Sequence, residues 1–278
     1  MIKCAKLNGN GNDFIALNNM DMTYDTDFLC NFAVMACRRM ESVGADGILV
    51  AEPSATQDFK MRIINRDGSE GEMCGNGARC IARFAFENGI VKKPEMTFET
   101  LGGPVHAEVR GCMTSLDLSP VSLENAVVGG HGKADGYEFD YTFLTVGVPH
   151  TVIFCGARDK SDEEYRDMGR ALRNATALFP EGTNVNFVFP RTGKKNELDV
   201  LTYERGVEDL TLSCGTGSTA SAIAAMTLGY TGPVVDVYNP GGLNRVSLSF
   251  ASERVLLPVL EGAVVYVADL EMYEDALK

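Results

Sequence analysis

The sequence has few basic residues for its length and no long run of apolar ones. Its 25 Lys and Arg stand against 38 Asp and Glu, which gives a formal net charge of −13 at pH 7. Because nucleic acids and anionic membranes are held mainly by Lys and Arg, this charge argues against both as partners. No stretch approaches the roughly 18 apolar residues of a membrane helix, and no apolar segment of the kind found in export signals follows the first residues. We therefore expect a cytoplasmic protein.

The sequence also lacks the cysteine and histidine spacing of a metal site. Its eight cysteines and three histidines are scattered, and no Cys-x-x-C pair is accompanied by a second pair or a histidine cluster, so we predict no metal centre. A chain of 278 residues, 45% of them apolar, is long enough to fold without disulfides. Five cysteines are expected to be small core residues: Cys4, Cys30, Cys37, Cys112 and Cys155.

Two short blocks resemble each other and lie half a chain apart. Both read Cys-Gly-x-Gly, one beginning at Cys74 and the other 140 residues later at Cys214. Each continues in small residues and reaches a glycine 15 positions after its cysteine, at Gly89 and Gly229. This pattern predicts one helix per block, with a glycine just beyond its C-terminus. An ancient duplication would produce such a repeat.

A predicted strand and a polar loop precede each block, so each half reads strand, loop, Cys-Gly-x-Gly, helix. These strands lie at 60–64 and 198–203. Further strands are predicted at 46–51, 96–101, 104–118, 142–154, 183–189 and 233–267, with further helices near 27–39 and 161–174.

The chain is long enough for two domains of ordinary size. The stretch 119–136 is rich in Pro, Gly and acidic residues and is the best candidate for a linker. We predict an N-terminal half at 1–118 and a C-terminal half at 119–265, with a last strand at 266–278 that packs back on the first half.

A cysteine directly before a helix lies where backbone N–H groups and the helix macrodipole favour a thiolate. The glycines leave those N–H groups unobstructed, so each helix start can hold an anion such as an α-carboxylate. If the halves pack face to face, one carboxylate meets two helix starts with a thiol on each side. That arrangement suits racemisation, because a thiolate can remove the α-proton while a thiol protonates the opposite face. The alternative is that Cys74 and Cys214 are core residues at glycine-rich turns.

Longer motifs surround both cysteines, and shorter segments accompany them along nearly the whole chain. Residues 65–79 and 203–217 resemble the two cysteine motifs of diaminopimelate epimerases. The shorter segments match in the family's order: Gly11–Phe14, Val43–Gly47, Gly147–His150 and Asn184–Phe187. The resemblance implies an α/β (α+β) fold of two pseudo-symmetric domains, each with strands wrapped around a central helix, and an active site in the cleft between them. It also implies that no pyridoxal phosphate, other cofactor or metal takes part.

The resemblance implies a role for each matched residue. Cys74 and Cys214 would be the catalytic acid–base pair. The substrate-binding residues would be Gly75, Asn76, Gly215 and Thr216 at the reacting carboxylate, Asn12 and Glu204 at the reacting amino group, and Asn65, Asn184 and Arg205 at the distal end. The planar guanidinium of Arg205 suits a carboxylate there. His150 either contacts one of the cysteines without contacting the substrate, or has a purely structural role.

Three positions depart from the family's pattern. Asn8 stands where the family usually has His, and Gly71 stands where it has Ala or Val. Val148 stands where the family has Asn. Valine cannot donate the hydrogen bond of that asparagine to the distal end of the substrate, and such a loss costs roughly 0.5–3 kcal/mol.

The predicted function is therefore an isomerase that converts LL- to meso-diaminopimelate for lysine and cell-wall synthesis. A racemase of another amino acid with the same two cysteines is the alternative that Val148 favours. The retention of both thiols argues against a binding protein without catalysis. The lack of a local Cys-x-x-Cys argues against a thiol-redox protein. The expected partner is a small amino-acid substrate, and a homodimer stays an open possibility.

Overall fold

The computed structural model describes residues Met1–Leu277, and within them the chain forms two compact units. Unit 1 comprises Met1–Asp117 and the C-terminal segment that begins at Gly262, whereas unit 2 comprises Leu118–Glu261. No helix in this described part of the chain is both long enough and apolar enough to cross a membrane.

Unit 1 consists of strands, two α-helices and a short 3₁₀ helix at its end, Glu274–Leu277. Its strands are β1 (Ile2–Gly9), β2 (Asn12–Asn18), β3 (Gly47–Glu52), β4 (Phe59–Asn65), β5 (Glu70–Gly71), β6 (Glu95–Thr100), β7 (Gly103–Arg110), β8 (Met113–Asp117) and β19 (Val265–Met272). Its α-helices are α1 (Thr26–Ala36) and α2 (Gly75–Glu87).

Unit 2 also consists of strands and two α-helices. Its strands are β9 (Val121–Ser122), β10 (Val127–Ala134), β11 (Tyr137–Val146), β12 (Val148–Phe154), β13 (Asn184–Pro190), β14 (Glu197–Glu204), β15 (Asp209–Thr211), β16 (Val234–Asn239) and β17 (Gly242–Ser252). Strand β18 (Val255–Ala263) runs across the boundary between the units along the chain. The α-helices are α3 (Asp162–Arg173) and α4 (Gly215–Thr227).

The strands of the two units pair in a common order. In unit 1 the order is β19, β1, β2, β3, β4, β6, β7 and β8, in which β2–β3 and β4–β6 are parallel and the other pairs antiparallel. In unit 2 it is β10, β11, β12, β13, β14, β16 and β17, in which β12–β13 and β14–β16 are parallel. Strand β10 thus takes the place in unit 2 that the C-terminal strand β19 takes in unit 1. A duplicated unit predicts this common order.

One helix lies at the centre of the strands of each unit. Helix α2 packs against β1, β2, β3, β4, β7 and β8, and α4 packs against β11, β12, β13, β14, β16 and β17. Small side chains let the strands approach both helices closely, and most positions along each helix are buried. A helix buried on all sides is a core element rather than a surface one. The predicted α/β fold, with strands wrapped around a central helix in each half, is confirmed.

Both central helices begin directly after a cysteine and end just before a glycine, as predicted. Cys74 and Cys214 have extended backbones and are the N-caps of α2 and α4. Gly89 and Gly229 follow the helices with φ of 67° and 78°, the left-handed conformation that glycine adopts without steric cost. Both thiols therefore lie at the positive end of a helix macrodipole.

Several details differ from the predictions. The predicted strand 104–118 is divided into β7 and β8 by a turn at Gly111, which has a φ of 63°. The predicted strand 142–154 is likewise divided between β11 and β12 at Gly147, with a φ of 68°. Cys112 lies in the first of these turns and is exposed, so its assignment to the core was wrong.

The predicted linker 119–136 is wrong, because the stretch lies within unit 2 and contains its strands β9 and β10. Its glycines allow the aromatic rings of β11 to cover the strand. A Cβ at Gly130 would lie 2.8 Å from the Tyr141 ring. A Cβ at Gly132 would lie 3.0 Å from the Phe139 ring. Glycine at these positions reflects close packing rather than a flexible connection.

Candidate active site

Cys74 lies at the start of α2, beside two hydrogen-bonded side chains. Its thiol donates to Asn12 Oδ1 at 3.4 Å, and Asn12 Nδ2 donates to Asp46 Oδ2 at 2.6 Å. Asp46 Oδ2 also accepts from the backbone N–H of Asp13 at 3.1 Å. The carboxylate therefore takes the nitrogen end of the Asn12 amide and leaves its oxygen facing the thiol. Asn12 thus presents an oriented hydrogen-bond acceptor beside Cys74.

A cluster of charges holds the strand end that carries Asn12. Asp13 accepts from Lys6 Nζ at 2.6 Å and from Arg39 Nη2 at 2.6 Å, and Arg39 also reaches Asp46 Oδ1 at 3.0 Å. Burial alone would raise the pKa of Asp13, but the hydrogen bonds from Arg39 and Lys6 outweigh it and lower that pKa. The cluster fixes the backbone of β2 at the point where Asn12 meets the cysteine.

The first turn of α2 supplies hydrogen-bond donors beside Cys74. A helix leaves the N–H groups of its first turn without partners in the helix, and Gly75 and Asn76 are the first two residues of α2. The Asn76 side chain is buried, and its Oδ1 accepts from Arg79 Nη2 at 2.9 Å. Its Nδ2 is therefore the donating end of the amide. These are the donors that the sequence assigned to the α-carboxylate.

Cys214 occupies the equivalent place in unit 2 and has a different set of neighbours. Its Sγ accepts from the backbone N–H of Gly217 at 3.3 Å and lies 3.5 Å from Thr216 Oγ1. Its side chain is buried, with 5% of its surface exposed. Because an N–H donor stabilises a negative charge on sulfur, this backbone geometry favours the thiolate.

Glu204 ends strand β14 and is hydrogen-bonded to Thr211 and Cys214. Burial raises the pKa of Glu204 above its ordinary value, although both hydrogen bonds act in the opposite direction. A carboxyl group beside a thiol opposes ionisation of that thiol when the carboxyl is itself charged. The surroundings of Cys214 therefore combine a backbone donor with an acidic side chain.

His150 is fully buried and its neighbour is an asparagine. Asn186 Nδ2 lies 3.2 Å from His150 Nδ1, and Asn186 Oδ1 accepts from Thr202 Oγ1 at 2.9 Å. The same Oδ1 closes the underside of α4, because a Cβ at Gly217 would lie 2.4 Å from it. Burial lowers the pKa of His150 to about 3, so the ring is neutral near pH 7. A neutral imidazole at this place braces Asn186, which in turn packs under the helix that carries Cys214.

The residues predicted for the distal end of the substrate fall in both units. In unit 2, Asn184 Oδ1 accepts from the backbone N–H of Arg205 at 2.6 Å, and Arg205 Nη1 donates to the Glu181 carbonyl at 3.0 Å. In unit 1, Asn65 is exposed and its Nδ2 donates to Ser69 Oγ at 3.0 Å. Asn184 therefore fixes the backbone from which the Arg205 side chain extends.

Comparison with known proteins identifies the family. The family model of diaminopimelate epimerase matches residues 4–121 and 142–267. The chain belongs to the diaminopimelate epimerase family. A diaminopimelate epimerase of Caldanaerobacter subterraneus subsp. tengcongensis is 39% identical, over 94% of this chain and 100% of that protein. One of Methanothrix thermoacetophila is 38% identical, over 96% of this chain and 94% of that protein.

The same fold occurs in solved structures of more distant sequence. A hydroxyproline epimerase of Agrobacterium vitis is 14% identical and superposes with a TM-score of 0.69, covering 98% of this chain and 90% of that one. This likeness shows the fold, whereas the family rests on the relatives of higher identity. The resemblance to diaminopimelate epimerases that the motifs indicated is confirmed.

The three departures from the family pattern have separate surroundings. Asn8 Oδ1 accepts from the backbone N–H of Gly11 at 3.0 Å and so stabilises the turn that leads to Asn12. A Cβ at Gly71 would lie 3.3 Å from Ile63, which is close but not forbidden. Val148 begins β12, two residues before His150, and is half-buried. Of the three, only Val148 replaces a residue to which the family resemblance gives a substrate contact.

Sequence reasoning assigned no role to three residues that position the site. Asp46 orients Asn12, Asn186 packs beneath α4, and Arg79 holds the Asn76 amide. Asp46 and Asn186 lie within segments that match the family, and Arg79 lies within its first cysteine motif. The motifs therefore include these residues, but a motif does not show which side chains they contact. Among residues 1–277 no cluster of three or more His, Cys, Asp or Glu side chains is arranged to hold a metal ion.

Proposed function

We propose that this member of the diaminopimelate epimerase family interconverts LL- and meso-diaminopimelate for lysine biosynthesis, with Cys74 and Cys214 as its acid–base pair and without a cofactor. The observation that carries the reaction type is that each unit places a cysteine at the N-cap of its central helix. The names and identities of the two relatives described above support the substrate.

In the proposed reaction one cysteine is a thiolate and the other a thiol. The thiolate takes the α-proton, the electron pair of the C–H bond passes into the α-carboxylate, and the thiol delivers a proton to the opposite face. The first sulfur keeps the α-proton of the substrate, and the second sulfur gives its own proton to the product, so the two protonation states are exchanged when the product leaves. N–H groups at the helix starts stabilise the negative charge that develops on the carboxylate.

The contacts of Asn12 and Glu204 support their proposed role at the reacting amino group. Asn12 Oδ1 is oriented by Asp46 and accepts a hydrogen bond from the Cys74 thiol. An ammonium group is a stronger hydrogen-bond donor than a thiol, so substrate would take this acceptor and leave the thiol free to ionise. Glu204, beside Cys214, supplies an acceptor of the same kind in unit 2.

At the distal end, we propose that Arg205 binds the second carboxylate of diaminopimelate while Asn65 and Asn184 lie near the second amino group. The Arg205 guanidinium donates to one carbonyl through Nη1, and its remaining N–H groups can form the two-pronged contact that a carboxylate accepts. A racemase of another amino acid remains the second candidate, favoured by the apolar side chain of Val148 where the family has a hydrogen-bonding residue.

We also propose that the protein acts in the cytoplasm. The mechanism needs Cys74 and Cys214 in the reduced state, and all eight cysteines are free in the structure. Cytoplasmic reductants maintain thiols in that state. The predicted absence of a nucleic-acid partner stays a prediction, and a homodimer stays an open possibility.

The proposal is tested by α-proton exchange in deuterated water with purified, reduced protein and a panel of amino acids. The panel contains LL- and meso-diaminopimelate, proline, glutamate and lysine, and deuterium incorporation is measured by mass spectrometry. Exchange confined to the diaminopimelate isomers is the expected result. Faster exchange with a monocarboxylic amino acid would favour the second candidate, and no exchange with any of them would contradict the reaction type.

A further inference from the structure

Arg205, the residue proposed for the distal carboxylate, is held by two segments of unit 2. One segment lies before β13, where the Glu181 carbonyl accepts from Arg205 Nη1 at 3.0 Å and Asn184 Oδ1 accepts from the Arg205 backbone N–H at 2.6 Å. The other is the turn at 204–208, to which Arg205 itself belongs. The direction in which the guanidinium extends therefore depends on how these two segments are held together.

The turn at 204–208 is closed by its last residue, Glu208. The Glu208 N–H donates to the Glu204 carbonyl at 2.8 Å, and Glu208 Oε1 accepts from the Gly206 N–H at 3.1 Å. The Tyr203 hydroxyl donates to the Glu208 carbonyl at 2.9 Å. Glu208 has a φ of 58°, a left-handed conformation that is costly for a residue with a side chain and persists only where surrounding contacts impose it. The shape of the turn thus depends on the contacts of Glu208.

Arg173, the last residue of α3, contacts both segments. Its Nε donates at 3.1 Å to Glu208 Oε1, the same oxygen that accepts from the Gly206 N–H. Its guanidinium also covers the backbone of Gly182, because a Cβ there would lie 3.1 Å from Arg173 Cζ and closer still to Nη1. The Arg173 side chain is only 19% exposed, so solvent screens its ion pair less than an open surface pair. Arg173 therefore connects the turn that carries Arg205 to the segment that accepts the Arg205 guanidinium.

Glu204, at the start of the same turn, has contacts of its own. It ends β14 and pairs there with Asp209 of β15 in antiparallel register. Its side chain is hydrogen-bonded to Thr211 and Cys214. Loosening the turn should therefore move Arg205 more than Glu204.

We propose that Arg173 is a positioning residue that fixes the direction of Arg205 and so determines how tightly the site holds a distal carboxylate. A guanidinium forms two parallel hydrogen bonds with a carboxylate only when its plane is correctly directed. A loosened turn gives Arg205 several directions, and ordering it again on binding costs conformational entropy. This inference rests on the proposed function, because it takes the second carboxylate of the substrate as the ligand of Arg205.

The first test is the change in KM and kcat for diaminopimelate. In Arg173→Met, which removes the donors and the charge, KM should rise about tenfold, the value of one hydrogen bond to a charged group. The kcat should change by less than about twofold, because a loss of binding shared by the ground and transition states raises KM alone. Arg170→Met is the matched control. It removes a cation one turn earlier on α3, paired with Asp167 at 3.3 Å, and should leave KM unchanged.

A double-mutant cycle shows whether Arg173 acts through Arg205. Arg205→Met should itself raise KM for diaminopimelate. Adding Arg173→Met to that variant should cause little further change, because the side chain that Arg173 positions is already absent. General damage to unit 2 would instead add its full effect in both backgrounds.

Amide hydrogen exchange in substrate-free protein provides a readout that needs no turnover. The N–H groups of Arg205, Gly206 and Glu208 are all hydrogen-bonded in the natural protein. In Arg173→Met they should exchange about fivefold faster or more, while peptides from α4 keep their rates. Glu208→Met removes the acceptor of the same contact from an exposed position and should raise KM in the same direction. This variant decides the question if Arg173→Met does not fold.

An unchanged KM in folded Arg173→Met, an equal rise in Arg170→Met, or a full further rise in the Arg205→Met background would overturn the inference. Amide exchange in the turn that Arg173→Met leaves unchanged would do so too. Protein that exchanges no α-proton with any amino acid, but whose turn loosens in Arg173→Met, would contradict the proposed function and support the positioning of Arg205. Active protein whose turn and KM do not respond to Arg173→Met would contradict this inference alone.

Discussion

The two units share a strand order and a central helix, yet they surround their cysteines differently. In unit 1 the Cys74 thiol donates to the amide oxygen of Asn12, and the buried guanidinium of Arg79 holds the neighbouring Asn76 amide. In unit 2 the Cys214 sulfur accepts a backbone N–H and meets the carboxyl group of Glu204. The backbone is repeated, whereas the electrostatics are not.

This difference suits a reaction with two unlike bases. A racemisation step needs one thiolate and one thiol at the same time, so identical surroundings would give neither cysteine a preference. A duplicated backbone supplies two equivalent helix starts, each with N–H groups that favour an anion. Different side chains around each start can then divide the two protonation states between the cysteines.

The largest expected effect is loss of racemisation on removal of either thiol. Cys74→Ala and Cys214→Ala should each lower kcat for diaminopimelate by about 10²–10⁴-fold or more, because each removes a proton-transfer group. The measurement is circular dichroism of the substrate during conversion. The matched control is Cys112→Ala, which changes an exposed thiol in a turn and should retain activity. Near-normal turnover in either active-site variant would contradict the proposed acid–base role of that cysteine.

The equivalent glycines Gly77 and Gly217 should respond unequally to alanine. A Cβ at Gly217 would lie 2.4 Å from Asn186 Oδ1, and the Asn186 amide is held by a hydrogen bond from Thr202 to Oδ1 and by one between Nδ2 and His150. We expect Gly217→Ala to lower the free energy of unfolding by about 2 kcal/mol, within the range for overpacked cores.

At Gly77 the nearest atom to a new Cβ would be a methyl group of Leu49 at 3.1 Å, which can move aside. Alanine also favours a helix over glycine by about 1 kcal/mol, so Gly77→Ala should be nearly neutral. Urea unfolding midpoints of the two variants measure the difference. Equal losses would show that the two helix starts are packed alike.

His150 should make unit 2 sensitive to acid. Its pKa is lowered to about 3 in the folded protein from an ordinary value near 6.5, so the unfolded chain binds the proton more readily. Its contribution to stability is complete above about pH 6.5 and is lost as the pH falls towards 3, with a slope of at most about 1.4 kcal/mol per pH unit.

We therefore expect His150→Asn to be less stable than the natural protein at pH 7 but to lose less stability on acidification to pH 4. Urea midpoints at both pH values provide the measurement. His131→Asn is the control, since hydrogen bonds to Asp140 and Glu138 raise the pKa of this exposed histidine and give its contribution the opposite sign. An unchanged pH dependence in His150→Asn would mean that the ring is not held neutral.

The smallest expected effect concerns Val148, which has no polar atom to offer the substrate. If diaminopimelate is the substrate, Val148→Asn should keep or raise kcat/KM by no more than roughly tenfold, the value of one hydrogen bond. Val148→Ala is the control for lost packing. A sharp loss of diaminopimelate turnover in Val148→Asn but not in Val148→Ala would favour another amino acid as the natural substrate.

Contiguous stretches of the sequence were sufficient to predict the elements that carry the chemistry. The Cys-Gly-x-Gly blocks predicted α2 and α4, and Gly89 and Gly229 predicted where they end, because capping preferences act over a few neighbouring residues. The motifs around the cysteines also predicted the family. The linker at 119–136 was predicted wrongly, since glycine signals both flexible chain and close packing, and only the rings of β11 distinguish them.

The sequence by itself thus determined the two cysteines, the helices behind them and the repeat that relates them. Only the tertiary structure decided that Asp46 orients Asn12, that Asn186 packs under α4, and that Arg79 is buried without a carboxylate partner among the described residues. Contacts of this kind join residues far apart in the chain, such as Arg79 and Gly262, and they depend on which strands enclose the helix. Local propensity does not specify which strands enclose a helix, so the burial of Arg79 against Gly262 could be recognised only in the folded structure.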